Sequence, residues 1–314
     1  MDGLIAVCSV QPESGEPLMK YSKQIFPVRF RCLVLVPILL MLAAPAWSEA
    51  VNSRGMGESR IAENSEDAAN YIQYADFLSK NKAYKEASEV LERGKLQASP
   101  SADLLVKLSI AYENQGLMDR AEAVTQEALK LNPGHMPAHL RMGEIYFRMG
   151  WNKSGLASFR EAVELAPEDD LPKVRLVGGL CKDEQLAAAE DQCLEFISTQ
   201  PQSPNLWLSL GQVFEDQDKR RAAFTTYGQV LTIDPSNSLA YARQGRLFCE
   251  FGQFTSAETS CRKALDLEPD NALGHAYLGI ACAKLGQNDE ARIHAEIAED
   301  AGLNMVSVWK ILGN

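Results

Sequence analysis

The chain is short of histidine, of the residues that interrupt helices, and of positive charge. Four histidines among 314 residues do not combine with cysteine into any four-ligand cluster of metal-binding spacing. Fourteen prolines and 21 glycines are few enough that most of the chain can be ordered. Thirty-one bases against 42 acids give a net charge of −11. That balance argues against general binding of nucleic acid or anionic lipid as the main activity. No GxSxG, P-loop, GxGxxG or HExxH motif occurs, and the carboxylates sit at i, i+4 relations to Lys and Arg, the pattern of solvated helix faces. No catalytic site is visible, and no cofactor is expected.

Long apolar runs are also scarce, with one exception near the start. Residues 33–46 (LVLVPILLMLAAPA) follow Arg29 and Arg31 and lead into Ala44-Pro45-Ala46 and Ala46-Trp47-Ser48, small-residue patterns that precede signal-peptidase cleavage. The run is shorter than the roughly 20 residues of a membrane span and contains Pro37 and Pro45. Residues 1–48 are therefore expected to be a signal peptide, with an uncleaved membrane anchor as the alternative. Residues 1–18 carry Asp2, Glu13 and Glu16 and no base, so a start at Met19 makes the better signal. Cys32 stands at the front of the apolar run, the wrong end for a lipoprotein cysteine. Residues 49–67 are polar and aperiodic and are expected to form a flexible leader.

What the chain does have is a period. Pro133, Pro167, Pro201, Pro235 and Pro269 are each 34 residues apart, with Pro100 lying 33 before the first. Each follows an apolar helical stretch (ALKLNP, AVELAP, VLTIDP, ALDLEP) that a proline would end. With units starting at Ala68, Ala102, Met136, Asp170, Pro204, Ser238 and Ala272, the eighth and twentieth positions are mostly Ala, Gly or Ser, as in Gly143, Gly155, Gly211, Ala223, Gly245 and Ala257. Small residues there let two helices approach closely. The eleventh position is bulky in most units, and Gly116, Gly150, Gly252 and Gly286 mark a turn within the unit. The fourth unit diverges, with Lys173 at the usual aromatic position and Val177 at the small one.

In these positions the chain resembles the tetratricopeptide repeat family over residues 68 to about 303. The resemblance implies an all-α superhelical solenoid of about seven helix-turn-helix repeats, each unable to bury its apolar face without a neighbour. Residues 304–314 place Met305, Val308, Trp309 and Leu312 at helical spacing and are expected to form a capping helix. The resemblance also implies a non-catalytic scaffold whose concave groove, formed by repeat positions 2, 5, 6, 9, 12 and 13, binds a partner protein or peptide.

Carried onto this chain, groove position 6 contributes Lys107, Arg141, Arg175 and Arg243; position 13 contributes Arg148 and Lys182; position 9 contributes Arg246. Phe147 at position 12 offers an apolar anchor, beside Leu140, Val174 and Leu208. Such a basic stripe on an acidic chain would suit an acidic or C-terminal peptide through bidentate arginine contacts. The competing outcome is that these bases are paired with Glu113, Glu144 and Asp216, leaving no net field. Position 9 lacks the asparagines of the carboxylate-clamp cochaperones, which argues against a chaperone-tail receptor.

Five cysteines follow residue 48: Cys181, Cys193, Cys249, Cys261 and Cys282. Joining positions 12 and 24 within a unit would need an offset of roughly 6 Å along the helices and about 9 Å between them, too far for a disulfide. Cys261 with Cys282 is the better pairing, against a default of small buried thiols. A thiol redox role on the groove is a further alternative function. His135 and His139 are four apart, but Pro137 between them separates a turn from a helix, so no metal site is expected. Exported relatives of this kind serve pilus assembly, cytochrome c maturation, secretion or polysaccharide export. The expected setting is thus periplasmic or secreted, or membrane-anchored if residues 33–46 are retained.

Overall fold

The computed structural model describes residues 55–313, and the readings for residues 1–54 lie outside them. The described residues form sixteen helices and no strand. Helix α1 spans 55–63. Then come seven pairs: α2 (Ala68–Lys80) with α3 (Tyr84–Gln97), α4 (Ala102–Asn114) with α5 (Met118–Leu131), α6 (Met136–Arg148) with α7 (Asn152–Leu165), α8 (Asp170–Lys182) with α9 (Leu186–Thr199), α10 (Pro204–Asp216) with α11 (Arg220–Ile233), α12 (Ser238–Glu250) with α13 (Phe254–Leu267), and α14 (Ala272–Leu285) with α15 (Asn288–Asp300). Helix α16 (Val306–Leu312) closes the array. The first helix of each pair begins at the start of a 34-residue unit. From α2 onward each helix packs on its successor, so the apolar face of one unit is covered by the next.

Local chemistry explains the repeat boundaries. The last residue of a unit caps the next first helix: Asp67 accepts from the Ala69 amide, Ser101 from Leu104, Asp169 from Leu171, Ser203 from Leu206, Asn237 from Ala240 and Asn271 from Gly274. Only His135 departs from this, and Pro137 stands in the first turn there instead. Second helices α5, α7, α9, α11 and α13 stop two residues before Pro133, Pro167, Pro201, Pro235 and Pro269. The turn inside each unit requires a left-handed residue at its fifteenth position. Gly116, Gly150, Gly252 and Gly286 take it at φ between 73° and 79°, while Lys82, Glu184 and Asp218 take it at 58–59° without the freedom of glycine.

Within units, position 8 faces position 24, and their sizes compensate. Phe159 and Tyr227 lie where side chains on Gly143 and Gly211 would have to go, and the Cys261 thiol fills that place opposite Gly245. In the second unit the pair is polar: Thr125 donates to Ser109 Oγ at 2.8 Å, with both side chains buried. At position 4 a ring or hydroxyl group satisfies the carbonyl six residues earlier in alternate units. Tyr71 donates to Ser65 at 3.2 Å, His139 to Pro133 at 2.8 Å, Trp207 to Pro201 at 2.9 Å and His275 to Pro269 at 2.8 Å. In these units position 4 thus closes the loop between units. In the divergent fourth unit, buried Lys173 hydrogen-bonds Gln200 and lies over the Phe196 ring.

Two features correct the sequence reading. Part of the expected leader is helix α1, whose Ile61 is buried against the first unit and whose Glu58 pairs with Arg93 at 2.9 Å. Its single buried side chain gave no period to read. Cys261 and Cys282 are free thiols, because Cys261 points back at Gly245 in its own unit. At the other end, Met305 and Val308 of the closing segment are buried and Trp309 donates to Glu299.

Candidate functional site

The first helices of the units carry the charged groove positions, and the structure gathers only some of them. Arg141, Phe147, Arg148, Arg175 and Lys182 line one cavity of about 490 Å³, with Glu113, Glu144, Val174, Phe159, Gly178 and Gly179. It opens where α6 and α8 meet sparsely. Phe147 is half-buried, stacked on Phe159 with ring centres 5.6 Å apart, and held close by Gly155 and Gly179. Its remaining exposed surface is the apolar element of the wall.

The charges are not an open stripe. Arg141 is 5% exposed: its Nε donates to Ser109 Oγ at 2.9 Å, and its guanidinium pairs with Glu113 and, at 3.2 Å, with Glu144. This corrects the expectation that Arg141 meets a partner, since its donors are spent inside the wall. The cause is Glu113, itself buried, which needs a counter-charge. Arg148 reaches the same carboxylate at 2.5 Å but stays 63% exposed, and Arg175 lies 3.4 Å from Glu144 and is 49% exposed. Lys182 is exposed and forms no ion pair among the described residues. Four bases and two acids line the cavity, so it keeps an excess of positive charge.

The other expected residues fall elsewhere. Lys107 pairs with Asp76 at 2.8 Å, outside the cavity. Arg243 and Arg246 both hold buried Glu215, each at 2.7 Å, and Arg246 also reaches Glu250 at 3.3 Å. The acid expected there, Asp216, instead accepts from Gln212 at 2.8 Å. Glu113 and Glu215 occupy the same repeat position, each bound by the arginine 28 residues later. The recurrence of Glu and Arg at that spacing is a signal carried by the sequence itself.

A second cavity of about 450 Å³ adjoins the first through Val174. Leu171, Leu208, Leu239 and Tyr227 make it largely apolar, with Asp169, Asp170 and Arg243 at its edges. Leu171 and Leu239 are exposed, at 45% and 39%.

The thiols are poorly suited to redox work. Burial first, with Asp216 added, pushes Cys181 up to about 11, and burial, with Glu250 and Cys282, pushes Cys249 up to about 12. Both therefore stay protonated near neutrality, away from the thiolate that exchange needs. His135 turns to Asp103 at 3.1 Å and His139 to Pro133, so they do not share a site. Among the described residues no helix is long and apolar enough to cross a membrane.

A stacked array of helix pairs with a groove along its first helices defines the class of helical-repeat scaffolds that bind proteins. Tetratricopeptide repeat family models match residues 102–135, 137–169, 204–237 and 242–302, together over half of the chain. The chain belongs to the tetratricopeptide repeat family, whose members are typically non-catalytic scaffolds for protein or peptide partners. It is 25% identical over 191 residues to the DnaJ homolog subfamily C member 7 homolog of Schizosaccharomyces pombe, covering 59% of this chain and 35% of that protein. It thus spans about a third of that relative's length. The fold is similar to yeast Tom70 (TM-score 0.69, 16% identity, 85% of this chain and 58% of that one). It is also similar to a tetratricopeptide repeat protein from Parabacteroides merdae (TM-score 0.58, 14% identity, 79% and 99%).

Proposed function

We propose that this scaffold binds an extended peptide segment across units three to six, with an acidic side chain or terminal carboxylate at Arg148, Arg175 and Lys182. An apolar side chain of the same segment rests on the neighbouring leucine-lined cavity. The observation that carries this reading is the adjacency of the two cavities, one basic and one apolar, sharing Val174. Half-exposed Arg175 and Arg148 and exposed Lys182 can meet a carboxylate at modest desolvation cost, whereas Arg141 holds the wall in place. A fluorescent peptide carrying consecutive acids and one leucine or phenylalanine tests the reading by anisotropy. Joint Arg175→Glu and Lys182→Glu reversal should abolish binding; an unchanged affinity would sink the proposal.

The setting we propose is outside the cytoplasm, in an envelope assembly process such as pilus assembly, cytochrome c maturation, secretion or polysaccharide export. The support is the run 33–46 behind Arg29 and Arg31. The mass of the protein recovered from its native envelope separates the two forms of this proposal. An end near Glu49 means cleavage and release, and a retained apolar run means a membrane-anchored scaffold.

A further inference from the structure

Helix α8, from the divergent fourth unit, forms part of the wall of both cavities. Asp170, Leu171, Val174, Arg175, Gly178 and Lys182 recur along it at helical spacing and are exposed or half-exposed. Leu176, Val177 and Leu180 on its other side are buried. One face of α8 thus runs through the whole site, and it is sorted by charge. Arg175 and Lys182 stand in the basic cavity, Val174 lies between the two, and Leu171 belongs to the apolar cavity, with Asp169 and Asp170 at its far edge.

The acids at that edge keep their charge. Asp169 Oδ1 accepts from the Leu171 amide at 2.9 Å. Asp170 Oδ2 accepts from Ser203 Oγ at 2.5 Å and from Asn205 Nδ2 at 3.2 Å. These donors are all neutral, and neither carboxylate forms an ion pair among the described residues. Arg243, in the same wall, is already held by buried Glu215 at 2.7 Å. The wall also contains a polar group without a partner: Tyr227 is 1% exposed, and its hydroxyl forms no hydrogen bond among the described residues. A wholly aliphatic occupant would desolvate the carboxylates and leave the hydroxyl unsatisfied, whereas a cationic side chain offsets that cost. Lysine and arginine suit the place, because their apolar stems can lie along leucine while the charged head stays at the edge.

Given the groove proposed above, on which this rests, we propose that the bound segment is dipolar. Its acid meets Arg175 and Lys182, and a lysine or arginine about four residues away meets Asp169 and Asp170, its stem lying on Leu171. Helix α8 sets the spacing. The midpoint of Arg175 and Lys182 is about nine residues from the aspartates, or roughly 14 Å at 1.5 Å per residue. An extended peptide covers that distance in about four residues, at about 3.3 Å each.

Anisotropy with the acidic, leucine-bearing peptide tests the second charge. Lysine, norleucine or glutamate is placed four residues before the acids in one set of peptides and four after them in another. In one of the sets lysine should bind about fivefold tighter than norleucine, and glutamate weaker than both. The set that responds gives the direction of the chain in the groove. Joint Asp169→Asn and Asp170→Asn substitution should remove the lysine advantage and leave the norleucine peptide's affinity unchanged, because asparagine keeps the helix cap and the acceptor oxygens. Equal affinity for lysine and norleucine in both sets, or a lysine preference that survives the joint substitution, would overturn the proposal and leave the groove reading standing. If no peptide binds, or binding ignores the Arg175→Glu and Lys182→Glu reversal, the groove reading fails and the second charge with it.

Discussion

The Glu113 carboxylate is held by the Arg141 guanidinium at the floor of the groove, with each side chain only 5% exposed. A buried pair of this kind is expensive to break from one side, since the other charge is then left without water or partner. Arg141→Met should therefore lower stability by about 3–5 kcal/mol in urea unfolding. Arg175→Met, half-exposed on the same wall, should stay within about 0.5 kcal/mol. Equal losses for the two would contradict the division between a structural and a partner-facing arginine.

The turns without glycine offer a gain. Lys82, Glu184 and Asp218 occupy the left-handed conformation at a cost of about 1–2 kcal/mol relative to glycine's freedom. Glu184→Gly and Asp218→Gly should each raise stability, by up to about 1 kcal/mol after the added entropy of the unfolded chain. Thermal unfolding reads this directly, and a loss would show that the side chains contribute more than the strain.

Helix α1 is bound to the first unit through Ile61, which is 6% exposed. Ile61→Ala should cost about 2 kcal/mol, the low end for a buried isoleucine, because the site lies at the end of the array. Proteolysis would report the same event as earlier cleavage between residues 55 and 67, ahead of the remaining units. An unchanged cleavage pattern would mean that α1 contributes no packing.

The half-buried thiols should be slow to react. With Cys181 at about 11, roughly one thiol in a thousand is thiolate at pH 8, and still fewer at Cys249, at about 12. Alkylation in the native state should lag far behind that in urea and should rise tenfold per pH unit through this range. Fast native alkylation would restore the redox reading of these residues.

The period of the prolines and small residues made the fold legible, because helix ends and close approaches depend on residue type at fixed positions. The site was legible only by position. Arg148, Arg175, Lys182 and Phe147 were placed in one wall, but which arginine faces a partner depended on the burial of Glu113, a matter of distance between units. Gly178 was not singled out, although it gives the groove its open floor.

Gly178 supplies the most direct test of the binding role. It lines the basic cavity, is exposed, and a side chain added there meets nothing within 4 Å. Gly178→Leu should fill the groove while favouring the helix by roughly 0.5–1 kcal/mol. Anisotropy titration of the acidic peptide against this variant and the wild type, with melting curves for both, decides the matter. Loss of affinity by about tenfold or more at an equal or higher melting temperature is the predicted result. Equal affinity in a variant that folds as well would contradict the assignment of this groove as the binding surface.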